Sequence, residues 1–256
     1  MDDWSCRDAC QWLWTQGHCS PILPGVTSPA LPRRRTTAPS ERVRVRRAHK
    51  KAAYDPDAIA AILDEALVAH LGFAHEGQPF VIPTLHARIG DRVFVHGSSA
   101  SRTLRALGGG GLPACLTVTL VDGLVYARSI FEMSTNYRSV VVLGEATPVT
   151  EHDEKLEALR AFSEQVMPGR WDAVRRPTRQ EVKATAILSM PLSEASAKVS
   201  SGGPDDGESE DAGLPVWAGH VPVRLVAGDP VPCAHLPAGI PVPADLVRPQ
   251  LRAVQP

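Results

Sequence analysis

Between Val68 and His96 three β-rich runs, Val68–His75, Gln78–Ile89 and Arg92–His96, are separated only by Glu76-Gly77 and Gly90-Asp91. Turns this short leave no room for a crossover helix, so consecutive strands must lie antiparallel as a meander. That excludes a doubly wound parallel sheet, in which strand and helix alternate. Further β runs follow at Ala114–Val121, Leu124–Phe131, Arg138–Val149, Ala186–Pro191, Ala195–Val199 and Val221–Val226. Asp122-Gly123 reads as a hairpin turn between the first two of these. The expected fold is mainly β with α decoration, a small antiparallel barrel.

Helix signals punctuate the runs. Asp55 stands as N-cap before Pro56, with Ile59, Ile62, Leu63, Ala66 and Leu67 along one face. Thr150 with Asp153 predicts the start of a helix that buries Leu156, Leu159, Phe162 and Val166 and stops at Pro168-Gly169. Thr178 and Glu181 predict a capping box for a shorter one. A further helix is expected from about Ser99, because Leu104 and Leu107 recur at helical spacing before Gly108–Gly111.

Around this domain the composition changes. Residues 1–45 combine Trp4, Trp12 and Trp14 with a Pro-rich stretch and Arg33-Arg34-Arg35, and read as a disordered basic extension. Residues 46–228 form the expected domain, with an acidic, glycine-rich mobile loop at 200–213. Residues 229–256 are a proline-rich tail that cannot pair in a sheet. The formal net charge of -1 gives no global attraction to nucleic acid or to a membrane surface, and the Arg33–Lys51 run reads as a solvated tail. Five scattered cysteines are odd in number, which speaks against a disulfide framework and for a reducing compartment, the cytoplasm. Cys6, Cys10, His18 and Cys19 fit no common zinc spacing, and no metal is expected.

The chemistry-bearing stretch is His96-Gly97-Ser98-Ser99-Ala100-Ser101-Arg102. A strand hands over to a helix start there, and the unpaired N–H groups of such a start attract phosphate. Ser98, Ser101 and Arg102 add hydroxyls and a guanidinium; a plain helix cap with a surface arginine satisfies the same residues. Pro79-Phe80-Val81-Ile82-Pro83-Thr84 is a proline-interrupted strand, suited to a sheet edge where free backbone groups can bond a planar ring. Asn136-Tyr137-Arg138-Ser139 offers an amide, an aromatic face, a second guanidinium and a hydroxyl at the mouth of another strand.

In these segments, with CLTVT, NYRSVVVLGEA and LPVWAGHVP, the chain resembles the flavin-binding proteins related to pyridoxamine 5′-phosphate oxidase, in the branch that includes nitroimidazole-resistance reductases. The resemblance implies a split β-barrel homodimer with FMN at the subunit interface. It implies phosphate contacts from Ser98, Ser101 and Arg102 with Arg138 and Ser139 nearby, and a ring running along Val81, Ile82, Pro83 and Thr84. It also implies that His96 and Gly97 face the cleft, with Asn136 and Tyr137 close by and Trp217 closing the ring side. The branch often carries a glycine where Ser101 stands and a lysine where Thr103 stands. The implied activity passes electrons from a reduced nicotinamide or deazaflavin donor to a small organic acceptor, with His96 the one candidate acid. The alternative is a non-enzymatic flavin or haem binding or sensor protein.

Overall fold

The computed structural model describes residues 37–98, 110–244 and 246–251. Its nine strands are β1 (Ala52–Ala53), β2 (Val68–His75), β3 (Gln78–Ile89), β4 (Arg92–Ser98), β5 (Leu112–Tyr126), β6 (Ser134–Pro148), β7 (Thr185–Pro191), β8 (Ala195–Ser200) and β9 (Gly219–Pro222). The helices are α1 (Pro56–Glu65), α2 (His152–Val166), α3 (Arg170–Ala173) and α4 (Arg179–Ala184). Strand order runs β1-β8-β6-β7-β4-β3-β2-β5-β9, and β6 also pairs with β5. Six strands, β6-β7-β4-β3-β2-β5, therefore close on themselves, and every pairing is antiparallel. This is the split β-barrel expected from the sequence. β3 serves both halves, pairing with β2 up to Leu85 and with β4 from His86 onward.

Helix α1 packs into the barrel core. The Asp55 side chain accepts from the Asp57 N–H at 3.1 Å, Pro56 opens the helix, and Ile59, Ile62 and Leu63 are buried with Leu71, Leu116, Val118, Val140 and Val142. Its C-terminal end has no glycine cap; side chains from elsewhere satisfy the last carbonyls. Gln165 Nε2 donates to the carbonyls of Leu63, Asp64 and Ala66 at 2.9–3.0 Å, and His86 Nε2 reaches Leu63 O at 2.9 Å. Arg248 donates to Asp64 O at 2.6 Å and to Glu65 O at 3.3 Å. A second, smaller core joins α2 to the outside of the barrel through Phe94, Phe162, Ala158 and Ile187.

Four local expectations are corrected. Asp122-Gly123 is no hairpin: β5 runs straight through it with a register shift between Val121 and Gly123, a β-bulge. Arg138 takes the Asp122 carboxylate, and Gly123 lets β9 approach so closely that a Cβ there would lie 3.0 Å from Val221 O. The chain turns back only after Tyr126, and β6 begins at Ser134, four residues ahead of the expected Arg138. Helix α2 is capped at Glu151, with no side-chain cap bond, instead of at Thr150. The final strand is Gly219–Pro222, ahead of the Val221–Val226 run.

The acidic loop is tethered: Asp206 is buried, accepting from the Arg128 amide and guanidinium. Beyond residue 228 no strand forms among the described residues, as the prolines predict, yet Arg248 is buried and the Ala227 N–H donates to Leu251 O at 2.9 Å. Among the described residues no helix is long and apolar enough to cross a membrane.

Candidate functional site

Successive residues of a strand face opposite sides of the sheet. In β2, Ala69, Leu71 and Phe73 are buried in the barrel core, so Val68, His70 and Gly72 look outward. In β3, Phe80 and Ile82 pack on that core while Val81 (68% exposed) and Pro83 face out. The register sets these residues side by side: His70 lies opposite Pro83 on one flank and Thr117 on the other, and Gly72 lies between Val81 and Cys115. Across β5 the rows continue, Thr117 to Val141, Thr119 to Ser139 and Val121 to Tyr137. One open outer face thus carries His70 beside Pro83 and Thr117, with Val81 next to Gly72 and with Ser139 and Tyr137 two strands away and further along.

Gly72 keeps this face flat. A Cβ at Gly72 would stand 3.5 Å from Cys115 O and 3.9 Å from Val81 Cγ2, ordinary contacts, so a side chain would fit and would rise from the surface. Burial pushes the Cys115 thiol up, which leaves it a neutral, weakly polar part of the floor.

The remaining sequence candidates lie elsewhere. Val93 and Val95 enter the barrel core, and Phe94 joins the smaller core under α2 on the opposite side of β4. His96 shares that side: its ring meets Phe162 of α2 edge-on at 4.7 Å, and burial holds its pKa below the ordinary value. The Thr84 hydroxyl donates to Leu85 O at 3.2 Å and to His96 O at 3.3 Å. Gly97 and Ser98 pair with Ala186 and Thr185 at the end of β4. Ser101, Arg102 and the helix expected from Ser99 lie outside the described residues.

Arg138 and Asn136 are engaged internally. Arg138 donates to both oxygens of Glu65 and both oxygens of Asp122, and the hydrogen bonds from Glu65 and then Asp122 raise its pKa further. Asn136 is buried, giving its amide N–H to Gly202 O at 2.9 Å. Trp217 is 65% exposed and meets Tyr126 edge-on at 5.7 Å, beside the β5–β9 pair where Leu124 and Val221 are also exposed. No group of three or more metal-ligating side chains forms among the described residues.

His70 is not among the residues that the sequence analysis singles out. The signal was present: in Ala69-His70-Leu71-Gly72-Phe73 only His70 and Gly72 interrupt the apolar residues, at period two.

A family model described as pyridoxamine 5′-phosphate oxidase matches residues 55–199. Among solved structures, the flavocytochrome Anf3 from Azotobacter vinelandii is 43% identical, with 82% of this chain and 98% of that one covered and a TM-score of 0.76. The FAD and heme binding protein from Mycobacterium smegmatis is 35% identical over 79% of this chain and 100% of that one, with a TM-score of 0.73. A candidate 5-nitroimidazole antibiotic resistance protein from Bacteroides thetaiotaomicron, 19% identical over 58% of this chain and 86% of that one with a TM-score of 0.50, shares the fold. No curated protein matches the chain.

Proposed function

The chain belongs to the pyridoxamine 5′-phosphate oxidase family, and from that premise we propose that it is a flavin-binding redox protein that also carries haem. The observation that carries this reading is the 43% identity to a flavocytochrome, 98% of which is covered. The second relative, whose name pairs FAD with heme, supports it at 35% identity.

The geometry suits planar groups. Val81, Pro83 and Gly72 give an apolar, side-chain-poor floor, and Tyr137 and Ser139 lie further along the same face. Such surfaces hold ring systems through apolar contact, with a few polar groups fixing orientation. His70 on this face would offer its imidazole to a haem iron. A flavin would bring hydride and single-electron chemistry, and haem single-electron chemistry; the chain's part is to bind, orient and exclude water. We assign no catalytic acid: His96 sits against Phe162, under α2.

The flavin we propose is FMN or FAD, bound near the end of β4 where Ser98 stands. The proposed donor is a reduced nicotinamide or deazaflavin, and the proposed acceptor is a small organic molecule. A homodimer is the proposed assembly, because Phe131 (90% exposed), Ile130 (82%) and Trp217 leave apolar surface that a second copy can cover.

The test is the absorption spectrum of the protein purified without added cofactor, with the released chromophores identified by mass. Flavin bands with a Soret band are expected. A colourless protein that takes up neither flavin nor haem overturns the reading. A protein that holds flavin but shows no turnover with any donor and acceptor pair would be a sensor or carrier instead of an enzyme.

A further inference from the structure

Between the first turn of α2 and helix α4 lies a cavity of about 530 Å3, lined by Thr150, His152, Lys155, Arg179, Val182 and Lys183. Small-molecule sites span roughly 300–1,000 Å3. Lys155, Arg179 and Lys183 carry a positive charge, His152 adds an imidazole and Thr150 a hydroxyl, and no carboxylate lines the cavity.

The local sequence explains the imbalance. Glu181, the acid of α4, turns back to accept from the Thr178 N–H at 2.7 Å and from both Arg175 terminal nitrogens at 2.8 Å, and those bonds hold its carboxyl down to about 2. Arg179 and Lys183, four residues apart, share one face of the same helix, and the Glu181 between them is taken by Arg175 and Thr178. Lys155 spends one N–H on Thr185 O at 2.9 Å and keeps two further donors. Glu151 and Asp153 belong to the same turn as His152 but do not line the cavity. Among the described residues neither Arg179, Lys183 nor His152 has a carboxylate within ion-pair distance. Like charges gathered in one concavity repel, and an anionic ligand removes the repulsion.

Position adds a second argument. Thr185, which Lys155 holds, pairs with Ser98 at the end of β4, and β4 lies between β7 and the β3 strand that carries Val81 and Pro83. We propose that this cavity binds two or more linked phosphate groups, either the bridging phosphates of a dinucleotide or those of a free nucleotide. A single phosphate would leave much of this positive charge unmatched, whereas a diphosphate can engage the Arg179 guanidinium and both ammonium groups together. The proposal stands whether or not the chain carries flavin.

The experiment is calorimetric titration with inorganic pyrophosphate at low ionic strength, on the protein as purified and after removal of any chromophore. The Arg179→Ala/Lys183→Ala double variant is expected to weaken pyrophosphate binding at least tenfold. Lys50→Ala/Arg224→Ala, which removes two exposed charges elsewhere, is expected to leave it within twofold. Circular dichroism checks that both variants are folded. Displacement of pyrophosphate by FAD but not by FMN assigns the cavity to a dinucleotide's phosphates; binding that neither disturbs assigns it to a free nucleotide. No pyrophosphate binding in either state, equal loss in the two double variants, or displacement by FMN as readily as by FAD overturns the proposal.

Discussion

Arg128 and Asp206, 78 residues apart in sequence, meet through two hydrogen bonds: the Arg128 backbone N–H donates to Asp206 Oδ2 at 2.7 Å and its Nη1 to Oδ1 at 2.8 Å. The Asp206 side chain is 1% exposed. An acidic, glycine-rich loop that composition reads as free is thereby fastened to the chain reversal between β5 and β6. Removing one partner of a buried pair strands the other in a poorly solvated place. Asp206→Ala should cost about 2–3 kcal/mol, read as a lower urea midpoint, and should open 200–213 to protease. Unchanged stability and cleavage would mean that the tether contributes nothing.

His86 makes stability depend on pH. It is fully buried; Nε2 donates to Leu63 O, and Nδ1 has no partner among the described residues. Burial, opposed by the bond to Leu63, holds its pKa below the ordinary value of 6.5. The unfolded chain therefore takes up a proton that the folded chain refuses, and stability falls as pH drops below that value. His96, also shifted down by burial, acts in the same direction. Unfolding free energy should decline between pH 7 and 5 with a slope of at most about 1.4 kcal/mol per pH unit for each proton. His86→Gln, which keeps a donor for Leu63 O but cannot titrate, should flatten the slope; an unaltered slope would clear His86 of the effect.

Arg248 closes the end of α1 from the far end of the chain. It is 7% exposed and forms no salt bridge among the described residues, and desolvation lowers its pKa despite Glu65 and Asp64 nearby. Its hydrogen bonds go to the Asp64 and Glu65 carbonyls, where a cation also meets the negative end of the helix dipole. Arg248→Ala should cost about 2 kcal/mol and speed amide exchange in the last turn of α1. Exchange unchanged there would show that Gln165 and His86 suffice.

Gly72 tests the proposed ring-binding face separately from the fold. Valine suits a strand, and a Cβ at Gly72 meets only ordinary contacts, so Gly72→Val should leave thermal stability within a few degrees. Its branched side chain would nevertheless stand where a planar ring must lie. Retention of the bound chromophore should drop at least tenfold; full retention would move the ring elsewhere.

Much of the fold was legible because its signals are local. Asp55-Pro56 starts α1, Thr178 and Glu181 form the predicted capping box, and the β2–β4 meander follows from turns of two residues. Asp122-Gly123 misled for a physical reason. The dipeptide favours a turn only where nothing else uses its backbone, and here Arg138 from β6 holds the aspartate while β9 comes up beside the glycine. Neither partner is a sequence neighbour.

By itself the sequence determined the β2–β4 meander, the helices α1, α2 and α4, that neighbouring strands run antiparallel, and, through its separated motifs, the family. Those properties depend on residues within a turn or a strand of each other. The tertiary structure alone decided that Arg138 is spent on Glu65 and Asp122, that His70 stands between Pro83 and Thr117 on the outer face, and that His152, Lys155, Arg179 and Lys183 share a cavity. Which side chains end up together depends on barrel closure and strand register, and both are set by burial of the whole core rather than by any short segment.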